Sequence, residues 1–216
     1  MNGERDELVW QEVGGRFGSN LARVKLLADH ANSAPQIQLS EVTDLRSDIL
    51  RSAIILLHAT LEDLLRSLAE ILLPWSNAKE LKEIPLLGST KPRQTTFTLE
   101  DLAAHRGGEV SDLIVKSVAA YLERSNYNHP GDIKALLQSI AIPASLCDPY
   151  ARELAAMMSR RHLIAHRADR RVGVGALPLA IERVTVERWI GTVASLGGRL
   201  LDHVRSSSPE ESEADA

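Results

Sequence analysis

Apolar residues recur at steps of three and four along most of the chain, which is the spacing of one helix face. The longest such run covers residues 40–73. Its apolar face consists of Leu50, Ile54, Leu57, Leu61, Leu64, Leu68 and Leu72. Ser40 is a suitable N-cap, and Pro74 cannot continue a helix. The pattern therefore predicts a helix of about 50 Å, the kind that forms one side of a bundle or a dimer seam.

Two shorter helices are predicted before this run. The first ends at the glycine pair Gly14-Gly15, and the second extends from about Ser19 to Asn32, with Pro35 preventing its continuation. Residues 1–39 are therefore expected to form an N-terminal helical extension.

Beyond the long helix, the chain is predicted to alternate between loops and helices. Residues 74–97 contain proline and glycine with weak periodicity, and we expect them to be an inserted loop. The sequence Thr98-Leu-Glu-Asp101 has the pattern of a capping box at a helix start. Further helices are predicted over 109–124 and 130–140.

Two more helices are predicted towards the C-terminus. Asp148 followed by Pro149 is expected to begin the first, and Thr185 is expected to cap the second. No run of alternating strands is evident, although 170–181 could hold one short hairpin. The predicted fold class is therefore all-α, a single helical-bundle domain over residues 1–205.

Composition narrows the classes of function. The chain has 216 residues and one cysteine, which excludes an internal disulfide and a metal site built from several cysteines. Three Trp, three Tyr and two Phe argue against the base-stacking sheet of an RRM-type protein. The charged N-terminus lacks the apolar core of a signal peptide, and charges interrupt the longest apolar run. We therefore expect a cytoplasmic protein without a membrane span.

The net charge of -4 is unevenly distributed. Residues 206–216 contain four acidic residues and no basic one, and they are predicted to be a disordered tail. Without these four, the acidic residues fall from 29 to 25 and balance the 25 basic ones. Within this neutral body, residues 160–171 read RRHLIAHRADRR and hold five Arg against one Asp. We call residues 160–171 the basic cluster; its charge suits an anionic partner.

The basic cluster permits three chemical interpretations. His162 and His166 are four apart and share a helix face, as metal ligands often do. However, Leu163 stands where the zincin pattern needs glutamate, and no cysteine is near, so zinc is disfavoured. Basic residues at a helix end can also simply complement the helix dipole. Against this, Leu163 and Ile164 imply partial burial, and Arg with His where few acidic residues are near suits a phosphate site.

At these residues the sequence resembles the HEPN superfamily, in particular its RiboL-PSP-type branch. Arg161, then polar His162, then His166 matches the family's ribonuclease motif of an Arg followed by a His after four residues. Starting from Arg160 gives the looser spacing with five residues between. The continuation from His166 to Asp169 is similar to the family's common ending of the motif.

The resemblance extends beyond the motif, over about residues 45–204, with 74–97 as an insertion. The segment 131–137 looks like the family's stretch upstream of the motif. The long helix around His58 and Glu62 looks like the family's first core helix, which often contains an acidic residue there.

The resemblance implies a metal-independent endoribonuclease with a site shared by two subunits of a homodimer. His166 would be the general acid/base, and Arg161 would stabilise the charge on the phosphoryl oxygens. His162 would orient His166 or touch the phosphate. No metal or other cofactor is implied. A toxin or antiviral defence effector, with RNA as substrate and an antitoxin or defence-system partner, is the setting that the family suggests.

Other residues are assigned supporting parts. Arg160, Arg167, Arg170 and Arg171 would attract the RNA backbone.

Glu62 has two open interpretations: an exposed pair with Arg66, or a carboxylate that orients a basic side chain of the motif. Asp63 is expected at the surface, and Cys147 is expected to be structural. The alternatives to an enzyme are a non-catalytic HEPN-like dimer that binds a protein or nucleotide, and a purely structural bundle.

Overall fold

The computed structural model describes residues 3–33, 44–87, 96, 98–173 and 176–207. Over these ranges it forms eight α-helices: α1 (Gly3–Ser33), α2 (Leu45–Leu72), α3 (Ala78–Leu81), α4 (Leu99–Ala103), α5 (Val110–Leu122), α6 (Pro130–Ser139), α7 (Ala151–Arg167) and α8 (Arg183–Ser207). Two 3₁₀ turns, Leu73–Trp75 and Ala144–Tyr150, adjoin α2 and α7. The described ranges contain no β-strand, and an isolated antiparallel bridge joins Arg170 and Pro178. The all-α prediction is confirmed.

Helix α2 lies at the centre of the bundle, in contact with α1, α5, α6, α7 and α8. The predicted leucine face is buried except for the partly buried Leu72, and Ile54, Leu57 and Leu68 are fully enclosed. Burial of this apolar surface is the main stabilising contribution to the bundle. None of the helices in the described ranges is long and apolar enough to cross a membrane.

The ends of α2 refine the prediction. The side chain of Asp44 accepts a hydrogen bond from the Ser47 N–H at 2.7 Å and is therefore the N-cap. The helix begins at Leu45, and the predicted cap, Ser40, lies outside the described residues. The predicted stop is confirmed, because the α-helix ends at Leu72 and Pro74 falls in the 3₁₀ turn that follows.

Helix α1 is unbroken, so the predicted interruption at Gly14-Gly15 is wrong. A Cβ atom on Gly14 would lie 2.7 Å from Nη2 of Arg205, so glycine at this position leaves room for the guanidinium of Arg205 on α8. The buried side chains of Trp10 and Phe17 on either side join the core. This packing outweighs the helix penalty of about 1 kcal/mol for each glycine.

Two predicted helix starts are also wrong. Asp148 does not cap α7, because it lies inside a 3₁₀ turn and its carboxylate contacts Nζ of Lys134 at 2.5 Å. Thr185 does not cap α8, which begins at Arg183. The capping box predicted at the start of α4, by contrast, is confirmed. The Thr98 N–H donates to the carboxylate of Asp101, and the Asp101 N–H donates to the hydroxyl of Thr98.

The predicted hairpin and insertion are tested only in part. The bridge between Arg170 and Pro178 lies within 170–181, the segment whose sequence allows one short hairpin. Within 74–97, the structure contains the one-turn helix α3, while 88–95 and 97 lie outside the described residues. Most of the predicted tail, from residue 208 onwards, lies outside them as well.

Candidate functional site

The basic cluster begins in the last two turns of α7 and continues into the loop beyond it. Helix α7 ends at Arg167, and the next two residues, Ala168 and Asp169, have left-handed backbone angles with φ of 46° and 63°. The Asp169 N–H donates to the carbonyl of Leu163 at 3.0 Å, and the carbonyl of Asp169 accepts from Leu179 N–H at 2.9 Å. The chain therefore reverses tightly at this point, which turns Asp169 inward.

Asp169 is fully buried and binds two arginines from different helices. Its Oδ2 accepts from Nε of Arg51 on α2 at 2.7 Å and from Nη2 of Arg160 on α7 at 2.8 Å. Both guanidinium groups also donate to the carbonyl of Leu179, and Arg160 donates to that of Ala180. This triad of Arg51, Asp169 and Arg160 fixes the end of α7 and the following loop to the core.

The triad changes the assignment of Arg160. Its guanidinium is occupied by Asp169 and two backbone carbonyls, so these contacts do not favour the expected role of attracting RNA. Sequence reasoning did not identify Arg51. A usable indication was available, because Arg51 follows Leu50 and precedes Ile54 by three residues, within the buried face of α2. A charged residue in that stripe needs a buried partner.

Arg161 faces a different group, the loop that precedes α6. Its Nη1 donates to Oδ1 of Asn128 at 3.3 Å, and its side chain is partly buried. We call residues 125–128 the bridging loop. Its backbone is held from α2: the Tyr127 N–H donates to Oε1 of Glu62 at 3.1 Å, and Nη2 of Arg66 donates to the carbonyl of Ser125 at 2.6 Å. Helix α2 thus positions the bridging loop, which in turn contacts Arg161.

The predicted pair of Glu62 with Arg66 is present, with Oε2 and Nη2 4.0 Å apart, but the expectation that Glu62 lies on an exposed surface is wrong. The Glu62 side chain is 13% exposed, and the neighbouring His58 is buried. Glu62 also does not bond the motif directly. It binds the bridging loop through Tyr127, and Asn128 of that loop accepts the hydrogen bond from Arg161.

Electrostatics at His58 reflect its enclosed position. Burial lowers its pKa, the carboxylate of Glu62 opposes this shift, and the positive charge of Arg161 adds to it. His58 is therefore neutral at neutral pH, and its Nε2 donates to the carbonyl of Tyr127 at 3.2 Å.

His162 and His166 form a pair on the exposed side of α7. Their ring centroids are 4.6 Å apart, and the ring planes are inclined by 48°. Both side chains are exposed to solvent. The predicted shared helix face is therefore confirmed by the ring contact.

Arg161 and His166 point in different directions within one chain. Residues five apart on an α-helix are separated by about 140° around its axis. The side chain of Arg161 accordingly contacts the bridging loop, while His166 joins His162 at the surface. The structure thus brings the two histidines together but does not bring Arg161 to them.

The remaining arginines of the cluster, Arg167, Arg170 and Arg171, are exposed. They follow His166 within five residues along the chain. The interpretation that these basic residues simply complement the dipole of α7 does not account for the contacts of Arg160 and Arg161. Within the described ranges, their hydrogen bonds go to other segments rather than to carbonyls of α7.

The environment of Cys147 and the arrangement of possible metal ligands bear on nucleophilic chemistry and metal binding. Cys147 is buried, and burial raises the pKa of its thiol, which is the environment of an unreactive cysteine. Among the described residues, no group of three or more His, Cys, Asp or Glu side chains is arranged to hold a metal ion.

Asp63 is 43% exposed and pairs with Nε of Arg16 at 3.0 Å, as expected of a surface residue.

Comparison with known proteins adds one finding. No curated protein matches this chain, and neither does any solved structure. The model of the RiboL-PSP-HEPN family, however, matches residues 19–203. The match extends from the middle of α1 into α8 and includes α2, the bridging loop and the whole basic cluster. The chain therefore belongs to the RiboL-PSP-HEPN family.

Proposed function

We propose that this protein is a metal-independent endoribonuclease whose active site is built around His166, His162 and Arg161. The observation on which the proposal depends most is the exposed pair of imidazole rings, with centroids 4.6 Å apart, followed along the chain by exposed arginines. Histidine is the side chain that exchanges protons near neutral pH, and arginine is the preferred partner of phosphate. Membership of the HEPN family supports the same reaction class.

The proposed reaction begins with the 2′-hydroxyl of a ribose. His166 takes the proton, the 2′-oxygen bonds to the adjacent phosphorus, and the bond from phosphorus to the 5′-oxygen breaks. The departing 5′-oxygen takes up a proton from water, which gives a 2′,3′-cyclic phosphate and a free 5′-hydroxyl, and His166 then returns its proton to the solvent. Arg161 stabilises the negative charge on the phosphoryl oxygens. His162 orients His166 or contacts the phosphate.

A homodimer accounts for the divergence of Arg161 and His166. Because the two side chains leave α7 in different directions, a single chain does not bring them to one phosphate. A second copy related by a two-fold axis would place another motif opposite the first. Two positively charged clusters repel one another, and an RNA phosphate between them would offset that repulsion.

The exposed arginines of the basic cluster would supply the electrostatic attraction for RNA. Arg167, Arg170 and Arg171 would contact RNA phosphates, so affinity should fall as salt rises. The inferred setting is a toxin or antiviral defence effector restrained by a partner protein; the family alone supports this part.

The deciding experiment incubates total RNA and tRNA with the protein in EDTA and maps the product ends. Wild type should cleave and leave cyclic phosphates, while His166→Ala and Arg161→Ala should lose activity with their oligomeric state unchanged. His30→Ala and Arg199→Ala, which alter exposed residues of α1 and α8, are the matched controls. Full activity in both motif variants would refute the proposal. RNA binding without cleavage in wild type would favour the non-catalytic dimer instead.

A further inference from the structure

A cavity of about 340 Å³ lies where the beginning of α2 meets the end of α7 and the loop beyond it. Its volume is at the lower end of the range for small-molecule binding sites. Three residues of the basic cluster line it, namely Ile164, Ala168 and Arg170. The cavity is therefore continuous with the surface that is proposed to bind RNA.

The walls of the cavity are partly apolar. Ile55 of α2, Ile164 of α7 and Pro178 of the following loop line it, and each is partly buried. Enzymes that bind a single unstacked nucleobase enclose its flat faces between apolar or aromatic side chains of this kind. A phosphate, in contrast, gains nothing from an apolar wall. The walls therefore favour a base of the RNA over its backbone.

Two side chains of opposite charge also line the cavity. The exposed guanidinium of Arg170 makes no hydrogen bond or ion pair with any described residue. The carboxylate of Asp48 accepts one hydrogen bond within the described ranges, from Nη1 of Arg51 at 2.9 Å. A carboxylate can accept about four, so Asp48 keeps most of its capacity for a ligand.

The core of the bundle holds Asp48 in place. Arg51 also lines the cavity, its side chain is only 9% exposed, and its Nε donates to the buried Asp169. The guanidinium that binds Asp48 is thus itself fixed by a buried partner. Asp48 is for this reason a positioned acceptor at the edge of the cavity rather than a mobile surface carboxylate.

Guanine is the base that matches this pair of side chains. Its O6 and N7 accept hydrogen bonds side by side, which suits the fork of a guanidinium. Its N1–H and 2-amino group donate side by side, which suits a carboxylate. Adenine, cytosine and uracil lack such a pair of adjacent donors.

We propose that this cavity binds a guanine base of the RNA substrate. The apolar walls would enclose the ring, Asp48 would accept from N1–H and the 2-amino group, and Arg170 would donate to O6 and N7. Arg170 then contacts a base rather than a phosphate. This inference rests on the part of the proposed function that concerns RNA binding, since RNA along the basic cluster brings the base to the cavity.

The test measures binding rather than cleavage. Fluorescence anisotropy on the full chain in EDTA would compare 2′-O-methyl oligouridine with the same oligomer that contains one central guanosine. The methyl group blocks the attacking 2′-oxygen, so both probes stay intact. We expect the guanosine probe to bind about tenfold more tightly. Inosine, which lacks the 2-amino group, and 7-deazaguanosine, which lacks N7, should each lose part of this preference.

Asp48→Asn tests the carboxylate, since it removes the charge but keeps an oxygen for Arg51. This variant should bind the guanosine and inosine probes equally. Asp63 lies on the same helix and is similarly exposed, at 43% against 47% for Asp48, but it does not line the cavity. Asp63→Asn is therefore the matched control and should keep the guanosine preference within about twofold.

A second pair of variants tests the space itself. Ser52 lines the cavity and is exposed, so Ser52→Leu would fill the cavity without disturbing the core. Ala59 is exposed two turns later on α2 and does not line the cavity, which makes Ala59→Leu the control. The first variant should bind the oligouridine and guanosine probes equally, and the second should retain the preference.

The outcomes separate this inference from the proposed function. Equal affinity of wild type for the oligouridine and guanosine probes, with RNA cleavage in EDTA intact, would overturn the guanine site alone. A guanosine preference that survives both Asp48→Asn and Ser52→Leu would place the base elsewhere and overturn it as well. A guanosine preference that both variants abolish, without cleavage by wild type, would retain the site in a non-catalytic RNA-binding dimer. Absence of both RNA binding and cleavage would overturn the two proposals together.

Discussion

Arg51 and Asp169 are 118 residues apart in sequence, and Nε of the one donates to Oδ2 of the other at 2.7 Å. Asp169 is fully buried, and Arg160 is its second partner. Removing one member of a buried ionic group leaves the others buried without compensation, at a cost of about 3–5 kcal/mol. Asp169→Ala should therefore lower the free energy of unfolding in urea by about that amount.

The control for this prediction is Asp63→Ala. Asp63 also pairs with an arginine, but its side chain is 43% exposed. Its loss should cost about 1 kcal/mol or less. Similar destabilisation by the two substitutions would show that the triad contributes no more than a surface pair.

Two adjacent glycines in α8 allow a test of the packing between α1 and α8. A Cβ on Gly197 would lie 2.2 Å from Cζ of the buried Phe17, whereas one on Gly198 would meet nothing within 4 Å. Gly197→Ala should destabilise the protein by about 1–3 kcal/mol through overpacking. Gly198→Ala should stabilise it by about 0.5–1 kcal/mol, because alanine favours the helix. Thermal unfolding of both variants measures this difference, and a stabilised Gly197→Ala would contradict the close approach.

Stability should depend on pH through His58. Burial lowers its folded-state pKa below the ordinary value of 6.5, so the unfolded chain binds the proton more readily. The contribution of His58 is therefore fully present above pH 6.5 and is lost as pH falls below that value. The free energy of unfolding should decrease between about pH 7.5 and pH 5.5, and His58→Gln should flatten this decrease.

His30→Gln is the control for that measurement, since His30 is an exposed histidine of α1. It should leave the pH dependence as it is in wild type. An unchanged slope in His58→Gln would mean that another group titrates in this range.

Asn128 is expected to act as a positioning residue for the proposed ribonuclease. It accepts the hydrogen bond from Arg161 at 3.3 Å, so Asn128→Ala should leave the guanidinium misplaced. We expect kcat for RNA cleavage to fall about tenfold with little change in KM, since orientation rather than binding is lost. A rise in KM with unchanged kcat would instead assign Asn128 to RNA binding. Gln138→Ala, at an exposed position of α6, is the control.

Salt dependence distinguishes the arginines of the basic cluster. If Arg167 or Arg171 contacts an RNA phosphate, its replacement by alanine should reduce the slope of log affinity against log salt by about 0.7. Arg199→Ala, on the exposed surface of α8, should leave the slope unchanged. Equal slopes for all of these variants would place the RNA elsewhere on the protein.

The parts of the fold that sequence could predict were those governed by local chemistry. The buried face of α2 follows from its leucine spacing, and the start of α4 follows from the capping pair of Thr98 and Asp101. The unbroken course of α1 could not be predicted, because Gly14 is explained by Arg205 of a helix far along the chain.

The candidate site likewise contains features that local sequence predicts and features that it does not. The pairing of His162 and His166 follows from their spacing on one helix. The burial of Glu62, the contact of Arg161 with Asn128 and the partners of Asp169 all depend on segments that are distant in sequence. A sequence pattern alone places a charged residue on a helix but does not say which loop folds against it.

The reversal after α7 has a consequence for dynamics. Asp169 bonds both the end of α7 and Leu179 through its backbone, and its buried carboxylate binds α2 through Arg51. Irregular segments usually open more easily than helices, but one tied to the core in this way should open only when the bundle unfolds. The histidine pair therefore lies on a rigid part of the bundle rather than on a segment that opens by itself. Any movement that admits a substrate to the proposed site must then come from elsewhere, such as the approach of a second copy.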